Sequence, residues 1–66
     1  MPNASSHYKQ GDEYYRNGKY DQAVTEFTNA IRLNPRYSDA YWHRGLAYNN
    51  LGQYQNAETD YDKAYS

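Results

Sequence analysis

Apolar and aromatic side chains recur along this chain at helical spacing and nowhere alternate as a strand would. Tyr8, Gly11, Tyr14 and Tyr15 form one stripe from Ser5 onward, with Met1–Ala4 read as a frayed lead-in. Asn17-Gly18 ends this first helix, because glycine enters the left-handed conformation of a C-terminal cap at little cost. Asp21 offers a carboxylate to the free N–H groups of a second helix, whose stripe is Ala23, Val24, Phe27, Ala30, Ile31 and Leu33. That helix stops near Asn34, since the residue before Pro35 is pushed out of the helical region. A third helix, capped by Ser38 or Asp39, carries Tyr41, Trp42, Gly45, Tyr48 and Leu51 and closes at Asn50-Leu51-Gly52. A fourth starts near Gln55 and carries Ala57, Tyr61, Ala64 and Tyr65. The pattern predicts an all-α chain of four short helices in antiparallel pairs.

The second pair copies the first. A shift of 34 residues superimposes Gly11 on Gly45, Tyr14 on Tyr48, Gly18 on Gly52 and Tyr20 on Tyr54. It also superimposes Ala23 on Ala57, Thr25 on Thr59 and Ala30 on Ala64, while Tyr8/Trp42, Glu26/Asp60 and Phe27/Tyr61 keep their character. A fixed period means one supersecondary unit used twice, each burying its apolar face against the other. Gly11 and Gly45 fall in mid-helix, where glycine costs about 0.5–1 kcal/mol relative to alanine. Matched glycines at that cost predict a close approach of backbones, with Ala23 and Ala57 as the opposing partners.

Together these residues resemble the tetratricopeptide repeat, whose signature is an aromatic, Gly, Tyr, Gly, Tyr, Ala, an aromatic, Ala and Pro at set intervals. The first unit supplies Tyr8, Gly11, Tyr14, Gly18, Tyr20, Ala23, Phe27, Ala30 and Pro35; the second supplies Tyr41 or Trp42, Gly45, Tyr48, Gly52, Tyr54, Ala57, Tyr61 and Ala64. The units run over 4–37 and 38–66, the second stopping before its closing proline and without an additional capping helix, as a fragment of a longer array or a designed minimal repeat would. Gln10 and Arg44 stand where leucine is usual, Glu13 where a small residue is commoner, and Glu58 where the first unit has Val24.

The resemblance implies a right-handed helical-repeat superhelix whose first helices line a concave groove. Such a groove binds a peptide or protein, without catalysis or cofactor. Carried onto this chain, the groove positions are Ser5, Tyr8, Asp12, Tyr15 and Arg16, then Asp39, Trp42, Leu46, Asn49 and Asn50. Tyr8 and Trp42 can instead pack between helices. Co-chaperones of the family grip a C-terminal carboxylate, but here the matching positions hold Tyr8, Asp12 and His43, and Asp12 would repel such a ligand.

Composition narrows the remaining classes. The 66 residues include no cysteine, which excludes disulfides and thiolate metal sites. Seven basic and eight acidic side chains are interspersed to a net charge of −1, which argues against nucleic acid or an anionic membrane as partner. No apolar run approaches the ~20 residues of a spanning helix, and without a signal-peptide pattern the default location is cytoplasmic. His7 and His43 occupy non-equivalent repeat positions and are expected to be solvated, with no metal between them. Neither Asp12/Glu13 nor Asp60/Asp62 can converge as an acid/base pair, because such close neighbours point apart on a helix. No phosphate-binding loop exists.

Tyrosine is the unusual component, at ten residues beside one tryptophan and one phenylalanine, so it must build both core and surface. About three repeats are usually needed for a stable stack. The last helix should therefore leave Tyr61, Ala64 and Tyr65 partly uncovered, which predicts a homo-oligomer formed through that end. Glu58, Asp60 and Asp62 pull the other way, giving the last helix the polar character of a self-sufficient terminus.

Overall fold

The computed structural model describes residues 1–66. Four α-helices follow in order: α1, Ala4–Arg16; α2, Tyr20–Leu33; α3, Ser38–Asn50; and α4, Tyr54–Tyr65. The chief packings are α1 on α2, α3 on α4 and α2 on α3, while α1 only grazes α3. These are two helix-turn-helix units in the all-α solenoid arrangement that the periodicity predicts.

Both units turn the same way at their glycines. Gly18 and Gly52 each adopt φ 77°, left-handed backbone that a side chain would strain. The N–H groups of Lys19 and Gln53 then return to the Tyr14 and Tyr48 carbonyls, each at 2.9 Å, and satisfy the last turns of α1 and α3.

The helix starts differ from the sequence expectation. Asn3 is an ordered cap rather than a frayed residue: its side-chain oxygen accepts from the Ser6 N–H at 2.9 Å, and Ser6 Oγ accepts from the Asn3 N–H at 2.8 Å. A reciprocal pair of this kind is worth about 1 kcal/mol. By contrast α2, α3 and α4 begin after Lys19, Tyr37 and Gln53, none of which caps through its side chain. Asp21 and Asp39 lie inside the first turns, where their charge still suits the helix dipole. Tertiary packing fixes these starts in place of a local cap.

The core is built from small residues locked around one ring. Ala23, Phe27, Ala30, Ala40 and Ala47 are fully buried, and Phe27 is the one large apolar side chain among them. Tyr8, Tyr14, Tyr15, Tyr20 and Val24 pack around the cluster of Ala23, Phe27 and Ala47. Burying a phenylalanine stabilises by about 1.5–3 kcal/mol, so this ring anchors the first unit. Leu33, expected on the buried stripe, is 56% exposed. Six residues after Phe27 it is rotated about a third of a turn off the core face.

The mid-helix glycines do mark a close approach, but against a ring. A Cβ on Gly11 would lie 2.7 Å from the Phe27 ring, and one on Gly45 would lie 2.6 Å from the Tyr61 ring. The nearest atoms to Gly11 belong to Phe27 rather than to the expected Ala23, whereas at Gly45 the Ala57 carbonyl oxygen does stand close, at 3.3 Å, just behind the Tyr61 ring. The aromatic four residues beyond each alanine therefore occupies the notch that the glycine leaves. Gly11→Ala is expected to destabilise by about 1–3 kcal/mol, because the enclosed Phe27 ring cannot retreat. Gly45→Ala should cost less, since half-buried Tyr61 can tilt outward. Thermal unfolding followed by circular dichroism compares the two; an equal loss would mean that Tyr61 is held as firmly as Phe27, and no loss at Gly11 would contradict the ring-in-notch account.

Candidate functional site

The strongest polar feature lies where α2, α3 and α4 meet. Arg44 on α3 reaches Asp60 on α4 with both arms of its fork, Nε to Oδ2 at 2.7 Å and Nη2 to Oδ1 at 2.8 Å. Its third nitrogen, Nη1, donates to Thr28 Oγ1 on α2 at 3.1 Å. The Arg44 and Asp60 side chains are only 17% and 3% exposed. The rings of Tyr41 and Tyr48, one turn either side of Arg44, stand 5.7 and 5.6 Å from its guanidinium carbon. Hydrogen bonding to Asp60 holds the guanidinium above its ordinary value, outweighing the opposing effect of burial. Asp60 therefore does not make α4 polar, as its sequence suggests; its charge is spent inside the fold.

The first unit has its own version of this tie. Glu26, one repeat period before Asp60, meets His7 Nδ1 at 2.7 Å. His7 matches Tyr41 rather than Arg44, so the acid keeps its place while its partner sits one turn earlier.

A second cluster seals the joint between the units. The Tyr8 ring lies 5.8 Å from Phe27, 5.1 Å from Tyr37 and 5.3 Å from His43, the last edge-on. His43 Nδ1 is 2.9 Å from the Asp39 carbonyl oxygen and 3.1 Å from the Tyr8 oxygen. A carbonyl only accepts, so Nδ1 carries the proton and donates to both oxygens. Both histidines, expected to be solvated, are half-buried and paired. Burial raises the Tyr8 phenol above its ordinary value, and the Asp39 and Asp12 carboxylates add to it.

The expected groove residues differ in how far the fold uses them. Tyr8 and Tyr15 pack between helices: Tyr15 touches the Tyr20 and His43 rings, and its hydroxyl accepts from the Asn50 amide at 3.4 Å. Arg16 and Asp12 form an ion pair at 3.3 Å along α1, and Arg16 is 70% exposed. On α3, Asn49 and Asn50 are exposed and Leu46 is half-buried, its carbonyl accepting from Asn50 at 2.9 Å. Ser5 and Asp39 are exposed. Trp42 stands apart from these, with its ring 4.8 Å from Tyr61 and 5.9 Å from Tyr65. Of the residues expected to be uncovered on α4, Tyr65 is 78% exposed, while Tyr61 and Ala64 are half-buried. No three His, Asp or Glu side chains converge as metal ligands, and no helix is long and apolar enough to cross a membrane.

The two helix-turn-helix units agree with comparison to known proteins. The family described as tetratricopeptide repeat matches residues 8–66, and the chain belongs to that family. It is 41% identical over 54 residues to an uncharacterized protein of Methanocaldococcus jannaschii, covering 82% of this chain and 63% of that one. It is 35% identical over 63 residues to DnaJ homolog subfamily C member 7 of Homo sapiens, covering 96% of this chain and 13% of that protein. Against Hsp70-Hsp90 organizing protein 2 of Arabidopsis thaliana it is 33% identical over 55 residues, covering 83% of this chain and 10% of the relative. The chain thus spans less than two thirds of the length of each of these relatives.

Removing one partner of the Arg44–Asp60 pair leaves a buried charge alone. Asp60→Ala is expected to destabilise by about 3–5 kcal/mol, whereas replacing both residues with leucine should recover most of that loss. Urea unfolding of the single and double variants reads the difference. Alkaline pH should act through the phenols of Tyr8 and Tyr61, both raised chiefly by burial. Each is harder to ionise folded than unfolded, so its contribution is complete below the ordinary phenol value of 10.0 and is lost as pH rises through the raised folded values. Phenolate absorbance and helicity recorded together should therefore change in concert above that pH.

Proposed function

We propose that this chain is a non-enzymatic interaction module that binds a peptide or protein segment along the surface shared by α1 and α3. Its units are 4–37 and 38–66, and its contact residues are Tyr8, Asp12, Tyr15 and Arg16 on α1 with Trp42, Leu46, Asn49 and Asn50 on α3. One observation carries the reading. Asn50 reaches the Tyr15 hydroxyl and Tyr8 reaches His43, so the two first helices present a joined polar and aromatic surface. Asp12, Arg16 and Asn49 stand on these helices with side chains unused by the core. A relative named as an Hsp70-Hsp90 organizing protein gives the reading a family precedent. The reading does not extend to a carboxylate clamp, because Asp12 brings a negative charge to one of the matching positions. It requires no cofactor, no nucleic acid and no membrane, and it suits a cytoplasmic protein.

A second reading, a self-associating repeat unit, has a separate observation in its favour. Tyr65 is 78% exposed, and Trp42, at 36%, lies beside it with ring centroids 5.9 Å apart. Copies that associate through Tyr61, Ala64 and Tyr65 would leave the α1/α3 surface free.

A peptide-library screen followed by affinity measurement tests the first reading. Trp42→Ala and Asn49→Ala should each weaken a selected peptide by about 1–2 kcal/mol with helicity unchanged. Unchanged affinity in both variants would remove the α1/α3 surface from consideration.

A further inference from the structure

The two ends of the stack are chemically different. At the joint inside the molecule, α3 packs on the first unit through His43, Arg44 and Ala47. One repeat period earlier, the same positions on α1 are Lys9, Gln10 and Glu13, all exposed. Ala47 is fully buried at the joint, so a copy stacked head to tail would have to bury the Glu13 carboxylate in its place. Burying an unpaired carboxylate is too costly for that contact to form. The α1 end is therefore polar where the internal joint is apolar.

The α4 end keeps an apolar centre but gains charge at its rim. The first-unit residues Tyr8, Phe27 and Ile31 become Trp42, Tyr61 and Tyr65, while Val24 and Thr28 become Glu58 and Asp62. Glu58 and Asp62 are exposed and take part in none of the ion pairs of the structure. Lys63, next to Asp62, turns instead toward the Tyr41 ring, 5.9 Å away. At the occupied joint the guanidinium of Arg44 meets the Thr28 hydroxyl at 3.1 Å. A guanidinium arriving in the same way at the open end would meet the Asp62 carboxylate, a stronger, charge-assisted partner. Two copies meeting end to end would instead bring two Glu58 and two Asp62 side chains together, and like charges across an interface oppose association.

We propose that the open end, with Trp42, Tyr61 and Tyr65 at its centre and Glu58 and Asp62 at its rim, docks a cationic amphipathic helix of a partner protein. That helix presents an arginine where α3 has Arg44 and a small residue where α3 has Ala47. This surface shares Trp42 with the one along α1 and α3 and is otherwise built from α4, so the Asn49 and Asp62 variants tell the two apart.

The probe is a synthetic peptide of the Tyr37–Leu51 segment carrying Asp39→Lys and Asn50→Lys for charge, and Trp42→Phe so that the 66-residue chain alone contributes tryptophan. Titrated into the 66-residue chain, it should change Trp42 fluorescence saturably. Asp62→Lys in the chain should weaken binding about tenfold or more, and a peptide with Arg44→Glu should recover affinity for that variant while losing it for the parent. Glu58→Lys provides a second rim variant, and circular dichroism checks that both keep their helicity. No saturable change in fluorescence, or losses indifferent to the sign of the charges, would overturn the proposal. So would a mass of twice 7.8 kDa by light scattering without peptide, because a second copy would then hold the open end.

Discussion

Arg44 is the constraint on which the rest of the arrangement turns, because a guanidinium taken out of water must have its donors met. It does so by drawing two helices to its own: α4 supplies both oxygens of Asp60, and α2 supplies the Thr28 hydroxyl. Three elements are thereby held at fixed rotation and height. An aliphatic residue at this position would pack in several ways, whereas the planar fork accepts a narrow range of geometry. The tyrosines on either side complete the site by placing ring faces beside the charge. A buried ion pair adds little net stability over a well-packed apolar pair, but losing either partner strands the other charge.

A chain this short has few large aliphatic residues to spend, and it builds its interior from alanine, glycine and rings. The notches at Gly11 and Gly45 let Phe27 and Tyr61 lie directly on a helix backbone, where an ordinary side chain would hold them off. Tyrosine suits such a structure because its ring packs while its hydroxyl satisfies a neighbour. Tyr41 donates to the Pro35 carbonyl at 3.0 Å, Tyr8 accepts from His43, and Tyr15 accepts from Asn50. The polar tips thus stitch together elements whose apolar area alone would be thin.

The repeat also explains why the molecule has direction. Each position on the second unit has a counterpart on the first, and the internal joint shows what that counterpart is used for. The α1 end replaces joint residues with polar ones, while the α4 end retains the rings and surrounds them with carboxylates. Two surfaces with separate chemistry follow from one repeated unit: a face shared by the first helices, and an end that the stack leaves open.

The sequence by itself determined the four helices, their pairing into two units and the turns at Gly18 and Gly52, because these depend on local spacing and on backbone only glycine adopts easily. It also marked Gly11 and Gly45 as points of close approach. Asn3 was within reach of the same local reasoning, since an asparagine just before a helix is a good cap, but its partner Ser6 does not match the usual acidic pattern. The contacts of the candidate site were beyond such reasoning. Arg44 and Asp60 are 16 residues apart, Tyr8 and His43 are 35 apart, and neither pairing recurs at equivalent positions in the other unit. Which side chains meet across two helices depends on how each is rotated and how far a ring sinks into its glycine notch. Only the packed structure decided that, and with it whether Asp60 was a surface charge or the buried half of an ion pair.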